Sequence, residues 1–220
     1  MGYIESTISG SLNGLKVVLD CANGASSALA PQLFKELGAE VITVSSTPDG
    51  VNINEQCGST HPEVLVGEVV KQGADLGFAV DGDCDRLIVV DHNGTIFDGD
   101  YIMFIVGCYL NEKGQLNKGT VVSTVMSNLG FYNAVEANGL NSVQTKVGDH
   151  YVLEEMLKNG YNFGGEQSGH LIFLYYGTTG DGMLSAVQLA NIVVEKGQTI
   201  ATLASTPNYL RIYASKIKTR

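Results

Sequence analysis

Tryptophan is absent from this sequence, proline occurs four times, and acidic residues outnumber basic ones by 23 to 13. The shortage of positive charge excludes a nucleic-acid backbone binder, which needs a basic face. It leaves room for a phosphorylated small molecule, because a few backbone N–H groups can hold one phosphate. The four cysteines, Cys21, Cys57, Cys84 and Cys108, are too few and too far apart for a disulfide framework or a paired-cysteine zinc site. That pattern predicts a reduced, cytoplasmic protein. Long apolar runs are missing too: the stretches at 101–110 and 183–194 are too short or too interrupted to span a bilayer. Residues 1–13 hold no positive region followed by an apolar one. No membrane partner is expected.

Three phosphate and nucleophile signatures are also lacking. No Gly-x-Gly-x-x-Gly follows the first strand, and no Gly-x-x-x-x-Gly-Lys-Ser/Thr occurs, which argues against a dinucleotide dehydrogenase and a P-loop NTPase. No Gly-x-Ser-x-Gly elbow occurs either. What is abundant is glycine, 27 of 220 residues, within a chain that is 44% apolar. That is enough to bury one sizeable core or two small ones.

Short β-branched runs alternate with helical patterns along the chain. Strands are predicted at 15–20, 40–44, 76–80, 87–90, 120–124, 142–146, near 162–163, and at 171–174. Helices are predicted at 26–37, from Ser59 or Thr60 as cap to 72, and at 101–111, 129–137, 151–158 and 182–196. Asp149 is available to cap the helix at 151. Asn93-Gly94-Thr95 reads as a turn between strands. This order predicts an α/β protein of two consecutive three-layer-like domains with mostly parallel, mixed sheets. The polar stretch 112–119 is the expected boundary. It separates a unit at 12–115 from one at 116–206, with 1–11 and 207–220 as connections to parts beyond. Both ends read as cut edges of a larger chain.

The strongest chemical signal is Ala79-Val80-Asp81-Gly82-Asp83-Cys84-Asp85-Arg86. Three carboxylates at i, i+2 and i+4 repel one another unless a cation neutralises them, and hard oxygen ligands suit Mg²⁺. Three ligands leave coordination positions open. An EF-hand is a poor match, because its final glutamate position falls on His92. Arg86 can take a phosphate in a bidentate contact or pair with a carboxylate. The alternative, a solvated acidic turn, is weakened by the apolar strands on both sides.

A second polar loop is Gly164-Gly165-Glu166-Gln167-Ser168-Gly169-His170. Glu166 and Ser168 can hold polyol hydroxyls, and His170 can serve as an acid or base. A plain hairpin remains an alternative. Lys146-Val147-Gly148-Asp149-His150 follows a strand and opens a helix, so it can receive an anion. The connection 178–182 is similar, and there Thr179 or Asp181 either caps the long helix or takes part in ligand binding.

Taken in order, GLKVVLDCANG at 14–24, CGSTHP at 57–62, AVDGDCDR at 79–86, VMSNLG at 125–130, KVGD at 146–149, GGEQSGH at 164–170 and TTGDG at 178–182 resemble the α-D-phosphohexomutase family. The resemblance covers nearly the whole chain but only the middle two of the family's four domains. The family's Ser-His-Asn-Pro phosphoserine motif and its Arg-x-Ser-Gly-Thr-Glu-Pro phosphate loop do not occur. It implies that Asp81, Asp83 and Asp85 hold Mg²⁺ and that Arg86 acts near the phosphoryl group. Glu166 and Ser168 would hold sugar hydroxyls, with His170 close by, and Lys146, Asp149 and His150 would face the same ligand. The implied reaction interconverts glucosamine 6-phosphate and glucosamine 1-phosphate through a bisphosphorylated sugar. Mannose or glucose phosphates, and a non-catalytic phosphosugar-binding module, are the alternatives. The 220 residues alone are expected to have no turnover, lacking the first and fourth domains. His150 stands where the family has arginine, and Cys84 replaces a small residue in the metal loop with a soft ligand.

Overall fold

The structure is a computed structural model that describes residues 2–205. After a one-turn helix α1 (Gly2–Glu5), the chain runs β1 (Lys16–Asp20), α2 (Leu29–Glu36), β2 (Glu40–Val44), α3 (Glu63–Gln72), β3 (Leu76–Val80), β4 (Leu87–Asp91) and β5 (Ile96–Phe97). These strands form a sheet in the order β2-β1-β3-β4-β5. The first three are parallel and the last two antiparallel. Then come α4 (Gly99–Glu112), β6 (Thr120–Thr124), α5 (Leu129–Ala137), β7 (Asn141–Thr145), α6 (Asp149–Asn159), β8 (Phe163–Gly165), β9 (Leu171–Phe173), α7 (Gly182–Lys196) and α8 (Ile200–Ala204). The second sheet has the order β7-β6-β8-β9, with only β9 antiparallel. Two consecutive α/β units with mixed sheets are therefore present, as the alternating pattern implied.

Each sheet is covered on both faces, so its central strands β3, β4 and β6 are buried along their whole length. On one face of the first sheet, Val18, Ala79, Ile88 and Val90 pack on Leu65 and Val69 of α3. On the other, Val17, Leu19, Phe78 and Val89 join Leu33 and Phe34 of α2. In the second sheet, Val122 and Ile172 meet Val152 and Met156 of α6. The opposite face, with Val121, joins the same core as Phe34 and Phe78.

That shared core arises because two helices reach across. α4 precedes the polar stretch 112–119, yet it packs on α5, α7, α8, β6 and β8 of the second unit. α7, from the second unit, packs on β3 and β4 of the first.

Two cap expectations need correction. Ser59 and Thr60 lie in a separate helical turn (Gly58–Thr60), and Pro62 precedes α3 without a side-chain cap. Proline's fixed φ suits a helix entry, so no cap residue is required to start it. Asp149 is the first residue of α6 and Gly148 holds the cap position. Asp181 does cap α7, accepting from the Leu184 N–H at 2.9 Å. Residues 209–218 alternate in sequence as a strand would, and they lie outside the described residues.

Candidate metal and sugar site

The loops at 21–24, 81–86, 125–130, 146–150 and 164–170 leave the C-terminal ends of parallel strands. That is where open α/β sheets place ligands. β3 ends at Val80 and the chain turns at once into the acidic loop. Asp81 is 8% exposed and its Oδ1 accepts from the Asp85 and Arg86 N–H groups at 3.1 and 3.2 Å. Asp81, Asp83 and Asp85 each present one carboxylate oxygen within 4.8 Å of the others. Arg86 Nε lies 3.5 Å from Asp81 and 3.7 Å from Asp85, a single cation against three anions. Burial, followed by the Asp85 charge, pushes the Asp81 carboxyl above its ordinary value. Asp85 Oδ1 is buried and has no hydrogen-bond partner. That oxygen faces only the Arg86 Nε, at 3.7 Å; an excess of negative charge and a carboxylate oxygen without a hydrogen bond are what a hard divalent cation would satisfy, so the donor set fits Mg²⁺. Cys84 is not part of that set. It packs in the apolar core, where burial pushes its thiol up to about 12.

Neighbouring loops hold the acidic loop from below. The Ala25 N–H donates to the Gly82 carbonyl at 2.8 Å. Buried Asp20 accepts from the Ala22 and Gly58 N–H groups, at 3.0 and 2.9 Å, and so ties residues 22–25 to the turn at 58–60. The segments at 14–24 and 57–62 thus shape the floor of the acidic loop.

The second polar loop docks directly on the first. The Leu87 N–H donates to the Gly169 carbonyl at 3.0 Å, and Arg86 and His170 form an antiparallel bridge. Gly169 sits at φ +96°, and a Cβ there would lie 2.2 Å from the Leu87 carbonyl oxygen, so no other residue fits. Gln167 anchors the far side: its Nε2 donates to Asp98 Oδ2 at 2.8 Å, and its carbonyl accepts from the Gly99 N–H at 3.0 Å. Ser168 is exposed at the tip. Glu166 Oε1 accepts from the Gly148 N–H at 3.0 Å, which joins this loop to the one before α6. There Lys146 Nζ stands 5.6 Å from the Tyr151 ring centre, and the His150 ring lies 3.9 Å from the same ring. Asp149 Oδ1 is 3.8 Å from His150 Nδ1.

The structure therefore links the acidic loop, the loop 164–170 and the loop 146–150 through Leu87–Gly169, Asp85–His170 and Gly148–Glu166 contacts. The arrangement of His170 differs from an acid or base facing solvent. It is buried, its Nδ1 lies 3.2 Å from Asp85 Oδ2, and its Nε2 accepts from the Gly180 N–H at 3.0 Å. Sequence reasoning missed the supports, Asp20, Gln167 and the pair Asp98 and Asp100. Asp98 caps α4, but its grip on Gln167 spans 69 positions and leaves no local signal.

With this geometry in view, comparison with known proteins is decisive. Residues 98–209 match the description "Phosphoglucomutase/phosphomannomutase, alpha/beta/alpha domain III", and residues 3–94 match domain II of the same family. The chain belongs to the phosphoglucomutase/phosphomannomutase family. Among curated relatives, it is 61% identical over 202 residues to the phosphoglucosamine mutase of Geobacillus thermodenitrificans, covering 92% of this chain and 45% of that one. It is 54% identical over 215 residues to that of Lysinibacillus sphaericus, covering 98% and 47%. The chain thus spans about half the length of the curated relatives it matches. A solved phosphoglucomutase/phosphomannomutase family protein from Burkholderia thailandensis superposes with a TM-score of 0.82 at 28% identity, over 94% of this chain and 45% of that one. The N-acetylphosphoglucosamine mutase of Aspergillus fumigatus, TM-score 0.71 at 20% identity over 92% and 47%, shares the fold. The two family matches meet between residues 94 and 98, ahead of α4, which packs with the second unit.

Proposed function

We propose that this chain supplies the metal loop and the sugar loop of a phosphoglucosamine mutase. The whole enzyme would interconvert glucosamine 6-phosphate and glucosamine 1-phosphate through a bisphosphorylated sugar. The observation that carries this reading is the docking of loop 164–170 on loop 81–86 by direct hydrogen bonds between the two units.

In this reading Asp81, Asp83 and Asp85 hold Mg²⁺, and Arg86 stands beside them toward the phosphoryl group. A cation there supplies neutralisation of the charge on a transferring phosphoryl group, the main demand of that chemistry. Glu166 and Ser168 bind sugar hydroxyls, Glu166 being preset by the Gly148 N–H. Lys146, Asp149 and His150 line the approach of the same ligand. The phosphoserine donor lies outside this sequence, so the 220 residues bind without turning over. The four cysteines are free thiols, which supports a reducing, cytoplasmic setting.

Calorimetry with Mg²⁺ on the wild-type chain and on a D81N/D83N/D85N variant tests the metal assignment. Binding heat is expected from the first and not from the second; equal heats would overturn it. Metal-dependent titration with glucosamine, mannose and glucose phosphates then ranks the sugars, with glucosamine expected to bind tightest. Conversion of glucosamine 6-phosphate by the 220-residue chain alone would sink the division of labour.

A further inference from the structure

We infer that His170 is a positioning residue, which fixes the Asp85 carboxylate of the metal loop from the opposite half of the molecule. This rests on reading Asp81, Asp83 and Asp85 as metal ligands.

The tautomer follows from the partners. A backbone amide can only donate, so the Gly180 N–H, 3.0 Å from Nε2, requires an unprotonated nitrogen there. A neutral imidazole then carries its hydrogen on Nδ1, which faces Asp85 Oδ2 at 3.2 Å. The ring thus relays one directed bond, from the Gly180 amide through imidazole to carboxylate. Asp149 Oδ2 lies 3.8 Å from Nε2 but meets a lone pair, so it does not compete for the ring. No ring nitrogen is left to exchange a proton with a sugar hydroxyl.

The surroundings hold this ring tightly. A Cβ on Gly180 would stand 2.6 Å from His170 Cε1 and 2.7 Å from the Asp85 carbonyl oxygen, so the 178–182 strap lies directly against both. The strap is pinned in turn where the Gly182 N–H donates to the Cys84 carbonyl at 2.8 Å. His170 itself is 4% exposed. The consequence falls on Asp85. One carboxylate oxygen is occupied by the imidazole, and the other, Oδ1, is the buried atom without a hydrogen bond, with the Arg86 Nε 3.7 Å away. Fixing one oxygen leaves the second presented to the acidic cluster. Outer partners of this kind orient ligands, and losing one commonly weakens metal binding by about 10- to 100-fold.

Two substitutions separate the halves of the relay. H170N places an amide nitrogen near the Nδ1 position and can still donate to Asp85, while giving up Gly180. H170Q can offer an oxygen to the Gly180 N–H but has no donor near Asp85. Titration of the 220-residue chain with Mn²⁺, followed by electron paramagnetic resonance, is expected to show H170N within about threefold of wild type and H170Q weaker by about tenfold or more. Thermal midpoints confirm that the variants are folded. Equal affinity of wild type and H170Q, or equal loss in both variants, would overturn the assignment. The ring is read independently by ¹⁵N spectra of wild-type histidine side chains. A protonated Nδ1 and an unprotonated Nε2 are expected for His170, and the reverse tautomer overturns the proposal whatever the Mn²⁺ result. If the wild type takes up no Mn²⁺, the metal reading fails, and the relay stands or falls by the ring spectrum alone.

Discussion

Asp100 shows how strongly one buried charge can be felt. It is 2% exposed in the first turn of α4, where Oδ2 accepts from the Asn128 N–H at 2.7 Å and Oδ1 has no partner. Burial pushes this carboxyl up to about 6, against the hydrogen bond from Asn128. A raised value means that the folded state holds the proton more tightly than the unfolded chain. Stability therefore falls as pH rises from about 4 to about 6, and the cost persists above that window. D100N keeps an acceptor for the Asn128 N–H and removes the buried charge. The variant is expected to be about 1–2 kcal/mol more stable than wild type at pH 8, with the gain vanishing near pH 4. Denaturant titrations at the two pH values check both size and sign. The thiols give a second residue-scale test. Burial pushes Cys21 and Cys108 up to about 11 and Cys84 to about 12, so at pH 8 Ellman's reagent should label the buried Cys21 and Cys84 only at the rate of unfolding and the partly exposed Cys108 slowly. Fast labelling of Cys84 in the folded protein would contradict its core placement.

At the scale of elements, the joints matter more than the helices and strands they join. Replacing Gly169 by alanine forces a methyl group into the Leu87 carbonyl at a positive φ. G169A is expected to lower stability by about 3 kcal/mol or more and to loosen both ligand loops, read as faster hydrogen exchange at Leu87 and Glu166. Removing the α7 cap with D181A should cost about 1 kcal/mol, measured by thermal denaturation. The bounds of β2 and α7 were legible to the residue, because apolar periodicity there ends at polar or glycine punctuation. The two-residue strand β5 was not, since two residues show no period. Capping misled at Ser59, Thr60 and Asp149, where favourable residues stand one or more positions from the helix start. The acidic and sugar loops were visible as loops rich in chemistry. Their mutual contact was not, because Asp85 and His170 stand 85 positions apart and pairing at that distance has no local trace.

For the molecule as a whole, two sheets do not mean two independent folding units. Phe34, Phe78 and Val89 of the first unit share one apolar core with Phe104, Phe131 and Phe163. α7 seals a face of the first sheet, so residues 1–97 alone leave apolar surface around Phe78 and Val89 uncovered. That fragment is expected to be unfolded or to bind apolar dyes, whereas the whole chain unfolds in one transition seen alike by tyrosine fluorescence and circular dichroism. Two separated transitions would show that the shared core is weaker than its extent implies.

The Asp85–His170 contact also sets a timetable for synthesis. When Asp85 leaves the ribosome, the residue that orients it has yet to be made, 85 positions later. At ordinary translation speeds of about 5–20 residues per second, the acidic loop waits roughly 4–17 s before its imidazole arrives, and longer for the strap behind it. Through that interval the nascent chain carries three neighbouring carboxylates with no fixed arrangement. The ion site is thus a late event in the life of the polypeptide, finished only when the second sheet has been delivered.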